Sequence, residues 1–311
     1  MKTFTTEPMQ TILEWAQSQD TPRIEFEVLN PDAGEDRYAG SIITRKGTAY
    51  RHRSYKAWSD LAELLFCRML TPEIVTKYTV IIRYQKIDLE SSFHKSRGKE
   101  EKYGVDSPFF AIQKSEEPAF IAPYLRALNA VKISSRNRIL NLGINRGDEF
   151  KVIHSLIGKE AFNTKTFIGI DHSASAIKVA KNRFSANNVT LYVTDINQLD
   201  TLQLERSDLL ISIGTLQSPG INFKPFFMSL IQNYLSRDGA IILGFPNCRW
   251  MGGEMIYGAK APNYNYSEQS LLYNDVIFCK KYLQQKKFRV TLTGKDYLFL
   301  TATKIGQSTF R

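Results

Sequence analysis

The chain has little cysteine. Only Cys67, Cys248 and Cys279 occur in 311 residues, far apart and with no Cys-x-x-Cys spacing. That pattern excludes a disulfide framework and a cysteine-based zinc site, and it fits a reducing, cytoplasmic compartment. Histidine is also scarce, and His52 and His94 have no partner at ligand spacing, so no metal is expected. No apolar run approaches the ~18 residues of a membrane helix, and no membrane partner is expected. The opening Met1-Lys2-Thr3-Phe4-Thr5-Thr6-Glu7 lacks the apolar stretch of a signal peptide. Internal repeats and low-complexity tracts are absent.

The charge that is present is unevenly placed. The first 128 residues carry 18 Lys and Arg against 18 Asp and Glu. The remainder carry 23 against 13, so the whole excess of +10 lies there. An excess of that size favours polyanionic partners, RNA above all, through contacts to phosphate. Scattered surface lysines on a soluble protein would give the same sum.

From about Ile133, short β-rich apolar runs alternate with helical patterns. The runs are Arg138–Leu142, Thr166–Ile170, Val189–Val193, Asp208–Ile213 and Ala240–Gly244. Near-continuous apolar runs suit parallel strands covered on both faces. Helical rhythm is read at Asp148–Leu156, Ser173–Phe184, Pro225–Leu235 and Ser270–Lys287, with Ser173 as an N-cap and Pro225 as a first helical residue. Arg289–Asp296 and Tyr297–Thr303 read as two closing strands with no helix between. The expected fold is α/β: a seven-stranded, mostly parallel, doubly wound sheet with the last strand antiparallel.

The first 103 residues read as a smaller α+β domain. Arg23–Val28, Tyr38–Arg45, Thr48–Tyr55 and Tyr78–Tyr84 look like strands, and Lys56–Met69 like a helix closed by Thr71-Pro72. Lys46-Gly47 is a turn signal. Residues 104–118 are expected to be a linker or flap, and 119–311 the sheet domain, entered through a helix at Ala119–Val131.

Chemistry concentrates at Ile139-Leu140-Asn141-Leu142-Gly143-Ile144-Asn145-Arg146-Gly147-Asp148. It is a strand, a tight turn and a helix start. Gly143 and Gly147 let the backbone bend sharply and let a ligand approach, and Asn145 tolerates positive φ. Such a turn at the carboxyl edge of a parallel sheet is where nucleotides bind. Acids follow at the ends of the next two strands, Asp171 and Asp195, each also able to cap the helix after it.

Here the chain resembles the class I, Rossmann-like, S-adenosylmethionine-dependent methyltransferases, whose first strand carries acid-x-Gly-x-Gly-x-Gly. Asn141 stands at the acid and Asn145 at the middle glycine. The resemblance covers about residues 119–305 and implies S-adenosylmethionine as cofactor. It implies that Asn141, Gly143, Asn145 and Gly147 face its methionine part. Asp171 and His172 would meet the ribose, Asp195 and Ile196 the adenine, and Ile213 and Gly214 the floor beneath the methyl. A dehydrogenase is disfavoured by the closing hairpin and the incomplete glycine motif.

The acceptor is less legible. Gly214-Thr215-Leu216-Gln217-Ser218-Pro219 lacks the Asp/Asn-Pro-Pro-aromatic row of family members that act on exocyclic base nitrogens or glutamine amides. It also lacks the Pro-Cys of carbon-5 pyrimidine methylases. Cys248 reads as a semi-buried loop thiol. Phe245–Tyr266 reads as a long loop, either a lid or a substrate contact, with Arg249, Trp250 and Tyr257 as substrate candidates. Glu254 is the candidate general base and Asn247 a second catalytic candidate. Arg45–Lys56 carries five Lys or Arg, His52 and two Tyr with no acid, so Arg51 and Arg53 are candidate RNA contacts. Transfer to tRNA or rRNA is the preferred expectation. A protein or small-molecule acceptor, and a binding module without catalysis, stay open.

Overall fold

A computed structural model describes residues 1–34, 37–89, 103–258 and 269–306, without the side chains of 269 and 271. The chain divides into two compact units, residues 1–92 with 250–256, and residues 93–249 with 257–311.

The first unit opens with β1 (Lys2–Thr3), α1 (Met9–Gln17) and β2 (Arg23–Leu29). A small hairpin follows, β3 (Ile42–Arg45) and β4 (Thr48–Arg51), then α2 (Tyr55–Leu64), β5 (Cys67–Ile74) and β6 (Thr79–Lys86). The sheet order is β1-β2-β6-β5, parallel only between β1 and β2. Ile24, Phe26 and Val28 alternate inward from β2, as a strand buried on one face requires. Phe26 is the centre, edge-on to Phe4, Trp15, Trp58 and Tyr84 at 5.5–5.7 Å. Lys46 and Gly47 turn the β3–β4 hairpin with φ of 48° and 80°, the paired left-handed residues of a type I′ turn.

Two expectations fail in this unit. The helix read over Lys56–Met69 ends at Leu64, because Phe66 adopts φ 52° and the chain then enters β5. Thr71-Pro72 does not close a helix but lies in β5 at a register shift between Leu70 and Glu73. This is an edge strand, where proline costs no ladder bond. Helix α1 adds an element to those expected, its Met9, Ile12, Leu13 and Ala16 recurring at helical spacing.

The second unit begins, among its described residues, with α3 (Pro108–Ala111) and α4 (Pro118–Ala130). Then come β7 (Arg138–Leu142), α5 (Asp148–Ile157), α6 (Lys159–Asn163), β8 (Thr166–Asp171), α7 (Ala174–Arg183), β9 (Val189–Val193), β10 (Ser207–Ile213), α8 (Phe223–Ser229) and β11 (Leu235–Pro246). A second small hairpin, β12 (Cys248–Met251) and β13 (Glu254–Tyr257), of which residues 250–256 belong to the first unit, precedes α9 (Gln269–Gln285), β14 (Phe288–Gly294) and β15 (Tyr297–Lys304). The seven strands run in the order β14-β15-β11-β10-β7-β8-β9, and β15 alone is antiparallel to its neighbours. This is the expected seven-stranded sheet.

One face, carrying Leu140, Leu142, Ile170, Leu210, Leu243 and Leu300, packs in one core with Phe227, Val276 and Leu283 of α8 and α9. The opposite face meets α4 and α5. Phe120 and Tyr124 pack on Phe299, and Phe150 on Phe167. The helix expected to start at Pro225 starts at Phe223, and its last turn widens into a π-turn, Leu230–Tyr234, before β11. Part of the long loop expected over Phe245–Tyr266 is regular structure. Pro246 ends β11, and Cys248–Tyr257 pair as the second hairpin around Gly252-Gly253. Lys260, Asn263, Tyr264, Tyr266 and His94 lie outside the described residues.

Candidate functional site

Strand order reverses direction between β7 and β10, the switch point where open α/β sheets leave a crevice at their carboxyl edge. The glycine turn stands there. Gly143, Asn145 and Gly147 have φ of 76°, 47° and 86°, so asparagine does take the left-handed conformation at the middle position. Gly143 N–H and Ile144 N–H both donate to Ile170 C=O, at 2.8 and 3.1 Å. Thr215, just past β10, donates through Oγ1 to Leu142 C=O at 3.1 Å. A Cβ on Gly143 would lie 1.8 Å from that Oγ1. Only glycine fits there.

Asn141 faces the α4–α5 side of the sheet and is 1% exposed. Neither its Oδ1 nor its Nδ2 has a hydrogen-bond partner among the described residues. A buried amide left unpaired costs about 1–3 kcal/mol. Asn141 lies at the foot of the glycine turn.

Asp171 ends β8 and is nearly buried. Its Oδ2 accepts from Asn145 N–H at 2.8 Å and its Oδ1 from Ser173 N–H at 3.0 Å. The carboxylate thus ties the second strand tip to the glycine turn, and each oxygen keeps a further lone pair. His172 is half exposed, with Nδ1 3.6 Å from Asp171 Oδ1. Ser173 is the N-cap of α7, its hydroxyl accepting from Ala176 N–H. Asp195 is exposed and caps the short 3-10 helix Ile196–Leu202, its Oδ1 accepting from Asn197 N–H at 2.8 Å. Ile196 is buried beside it. Ile213 and Gly214 close the row, Gly214 turning at φ 74° and donating to Gly244 C=O at 2.9 Å.

The segment before α4 lies over this edge, a placement the sequence did not reveal. Asn145 Nδ2 donates to Tyr103 C=O at 2.8 Å. The Arg146 guanidinium donates to Phe110 and Ile112 carbonyls at 2.6 and 3.0 Å and stacks on the Phe110 ring. Arg146 and Arg183 both bond Asp148. Burial alone would raise the Asp148 carboxyl, but the two guanidinium bonds hold it below its ordinary value. Lys114 Nζ meets the buried Glu149 at 2.7 Å.

The acceptor candidates separate. Arg51 donates to the carbonyls of Thr6 and Gly40, and Arg53 to that of Glu7 while stacking on Trp58. Both guanidiniums thus hold the first unit's own backbone. Glu254 is ion-paired with Arg68 at 2.8 Å, also in the first unit, and Trp250 is buried there. Arg249 and Tyr257 belong to the second unit, where Lys295 lies over the Tyr257 ring at 5.2 Å. Asn247 is buried at the end of β11. Cys248 is buried too. Burial, and then the nearby Asp296, push its thiol up to about 12, so it is not a thiolate at neutral pH. Among the described residues no cluster of His, Cys, Asp and Glu could hold a metal, and no helix is long and apolar enough to cross a membrane.

The strand order, the switch-point glycine turn and the acids at successive strand tips define a Rossmann-like methyltransferase fold. A family model described as a methyltransferase domain matches residues 133–292, more than half of the chain, and the chain belongs to that family. It is an S-adenosylmethionine-dependent methyltransferase. No curated protein matches the chain. Among solved structures, it is similar to the plantazolicin methyltransferase BpumL in complex with SAH at 12% identity and a TM-score of 0.41, covering 61% of this chain and 87% of that one. It is similar to the SAH-bound Podospora anserina methyltransferase PaMTH1 at 13% identity and a TM-score of 0.43, covering 63% and 84%. The ribosomal protein L11 methylase from Lactobacillus delbrueckii subsp. bulgaricus follows at 12% identity and a TM-score of 0.38, covering 58% and 76%.

Proposed function

We propose that the chain methylates RNA, a tRNA or rRNA, at the carboxyl edge of β7 to β11. When bound, S-adenosylmethionine supplies the electrophilic methyl group. The unpaired, buried Asn141 amide supports this location, since a ligand with polar groups would complete it. Asn141, Gly143, Asn145 and Gly147 hold the methionine part. Asp171, flanked by His172, takes the ribose hydroxyls on its remaining lone pairs. Asp195 and Ile196 hold the adenine edge, and Ile213 and Gly214 line the floor. The segment carrying Tyr103 and Phe110 covers the turn and keeps water from it.

Charge carries the RNA part of the reading. Besides the +10 excess, the first unit exposes Lys46 at the tip of its hairpin. It also places Arg45 and Lys77 over the Tyr78 ring, at 5.9 and 5.8 Å. Cations beside an aromatic ring suit phosphate and base together. In the second unit, Lys295 over the Tyr257 ring, at 5.2 Å, offers a similar pair. Labelled S-adenosylmethionine offered to total RNA, protein and small metabolites tests the reading. Label in RNA is expected, and label in the other fractions alone would refute it. Asp171→Ala should weaken calorimetric S-adenosylmethionine binding by about 1–3 kcal/mol, the loss of hydrogen bonds to a charged group. Unchanged affinity in a folded variant would remove Asp171 from the site.

A further inference from the structure

Asp296 sits between β14 and β15, at the same sheet edge as the glycine turn. No sequence pattern singled it out. Its backbone C=O accepts from Asn247 N–H at 2.7 Å, and Asn247 Nδ2 donates to Lys295 C=O at 3.1 Å. The second bond fixes which way the amide points. It leaves Asn247 Oδ1 buried with no hydrogen-bond partner among the described residues. Asp296 Oδ1 is in the same condition, with only Lys295 Nζ at 3.6 Å, beyond hydrogen-bonding range. The two residues are 2% and 7% exposed.

Two buried oxygens on bonded segments, one amide and one carboxylate, therefore lack a donor. Each oxygen costs free energy until a donor arrives, so the two together offer a place for an N–H or O–H group. The neighbourhood belongs to the transfer edge. Pro246, one residue before Asn247, pairs with Tyr297 and lies against Gly214. Phe120 stands edge-on to Tyr297 at 5.0 Å, which gives the place an apolar wall. Cys248 stays a thiol beside it.

We propose that Asn247 and Asp296 bind the methyl acceptor through a hydrogen-bond donor, an N–H or O–H at or next to the atom that is methylated. Both free atoms can only accept. They fit a nucleobase N–H or a ribose O–H, and they reject a phosphate or a carboxylate. Methylation at carbon 5 of a pyrimidine would require a thiolate nucleophile, which Cys248 does not provide. The proposal rests on reading this edge as the transfer site and adds the chemistry of the acceptor.

The test uses the full chain and Asp296→Asn, which keeps the shape of the side chain but removes its charge and one of its two acceptor oxygens. Three quantities are read: the melting temperature, calorimetric S-adenosylmethionine affinity, and kinetics with labelled donor against the RNA, protein and metabolite fractions. Asp296→Asn should melt no lower than the parent and bind the donor unchanged. Its kcat/KM for the acceptor should fall by at least about tenfold, the scale of one hydrogen bond to a charged group. Digestion and mass spectrometry of the product should place the methyl on nitrogen or oxygen. A methyl on carbon or sulfur, wild-type kinetics in Asp296→Asn, or weakened donor binding in that variant would each overturn the proposal. Label confined to protein or metabolites ends the RNA reading alone, and the methylated atom and the Asp296→Asn kinetics still decide this one.

Discussion

The basic hairpin of β3 and β4 and the glycine turn after β7 both look like binding segments in the sequence, yet they leave opposite things free. In the hairpin the conspicuous residues are already engaged. Arg51 and Arg53 bond carbonyls of Thr6, Gly40 and Glu7, so they brace the small sheet domain. In the turn, the uncharged Asn141 has no partner for its side-chain amide among the described residues. Counting charged residues finds candidates, but the free hydrogen-bonding capacity of a folded site depends on what the backbone has already claimed.

The sharpest way to break this comparison is at Gly143. Gly143→Val places a β-branched side chain at φ 76° against Thr215 Oγ1. Positive φ and overpacking together should destabilise the second unit by about 2–4 kcal/mol, read by chemical denaturation, and donor binding should be lost. Wild-type stability would mean that the turn is more plastic than its geometry states.

Next come the cations. Arg53→Ala should cost about 1.5–3 kcal/mol of stability, as a hydrogen bond from a charged group is lost. It should leave the salt dependence of RNA binding unchanged. Lys46→Ala should do the reverse, leaving stability alone and reducing the salt slope by about one. A salt slope that moves with Arg53 and not with Lys46 would restore the reading in which Arg53 touches phosphate.

Asn141→Leu sharpens the other side. Replacing an unpaired buried amide by an apolar group of similar size should stabilise the cofactor-free chain by about 1–2 kcal/mol. The same change should weaken calorimetric donor binding. A less stable variant would show that the amide has a structural partner after all.

The smallest effect concerns pH. The folded Asp148 carboxyl titrates below its ordinary value of 3.8 because Arg146 and Arg183 bond it. Its contribution to stability is therefore complete above that ordinary value and fades as pH falls through the lower, folded one. Asp148→Asn should flatten the acid limb of the stability profile between pH 4 and lower values. An unchanged limb would place the acid sensitivity elsewhere.

Much of the fold was legible. The inner strands β7, β8, β10 and β11 of the large sheet announced themselves as apolar runs, because a strand buried on both faces admits few polar residues. Asn145 in the left-handed conformation was also readable, since few other side chains tolerate it. The edge strand β5 was not. Its Pro72 resembles a helix stop until the edge of the sheet explains it. Asp296 was not legible either, as an aspartate before a closing strand looks like any turn residue.

Composition and order of residues alone determined the layered α/β architecture and the position of the glycine turn. These follow from local rules, namely burial periodicity, glycine at positive φ and an acid at a strand end. Which polar atoms remain free was decided only when distant segments met. Asn247 and Asp296 lie 49 positions apart, and whether a buried oxygen has a donor depends on everything packed around it.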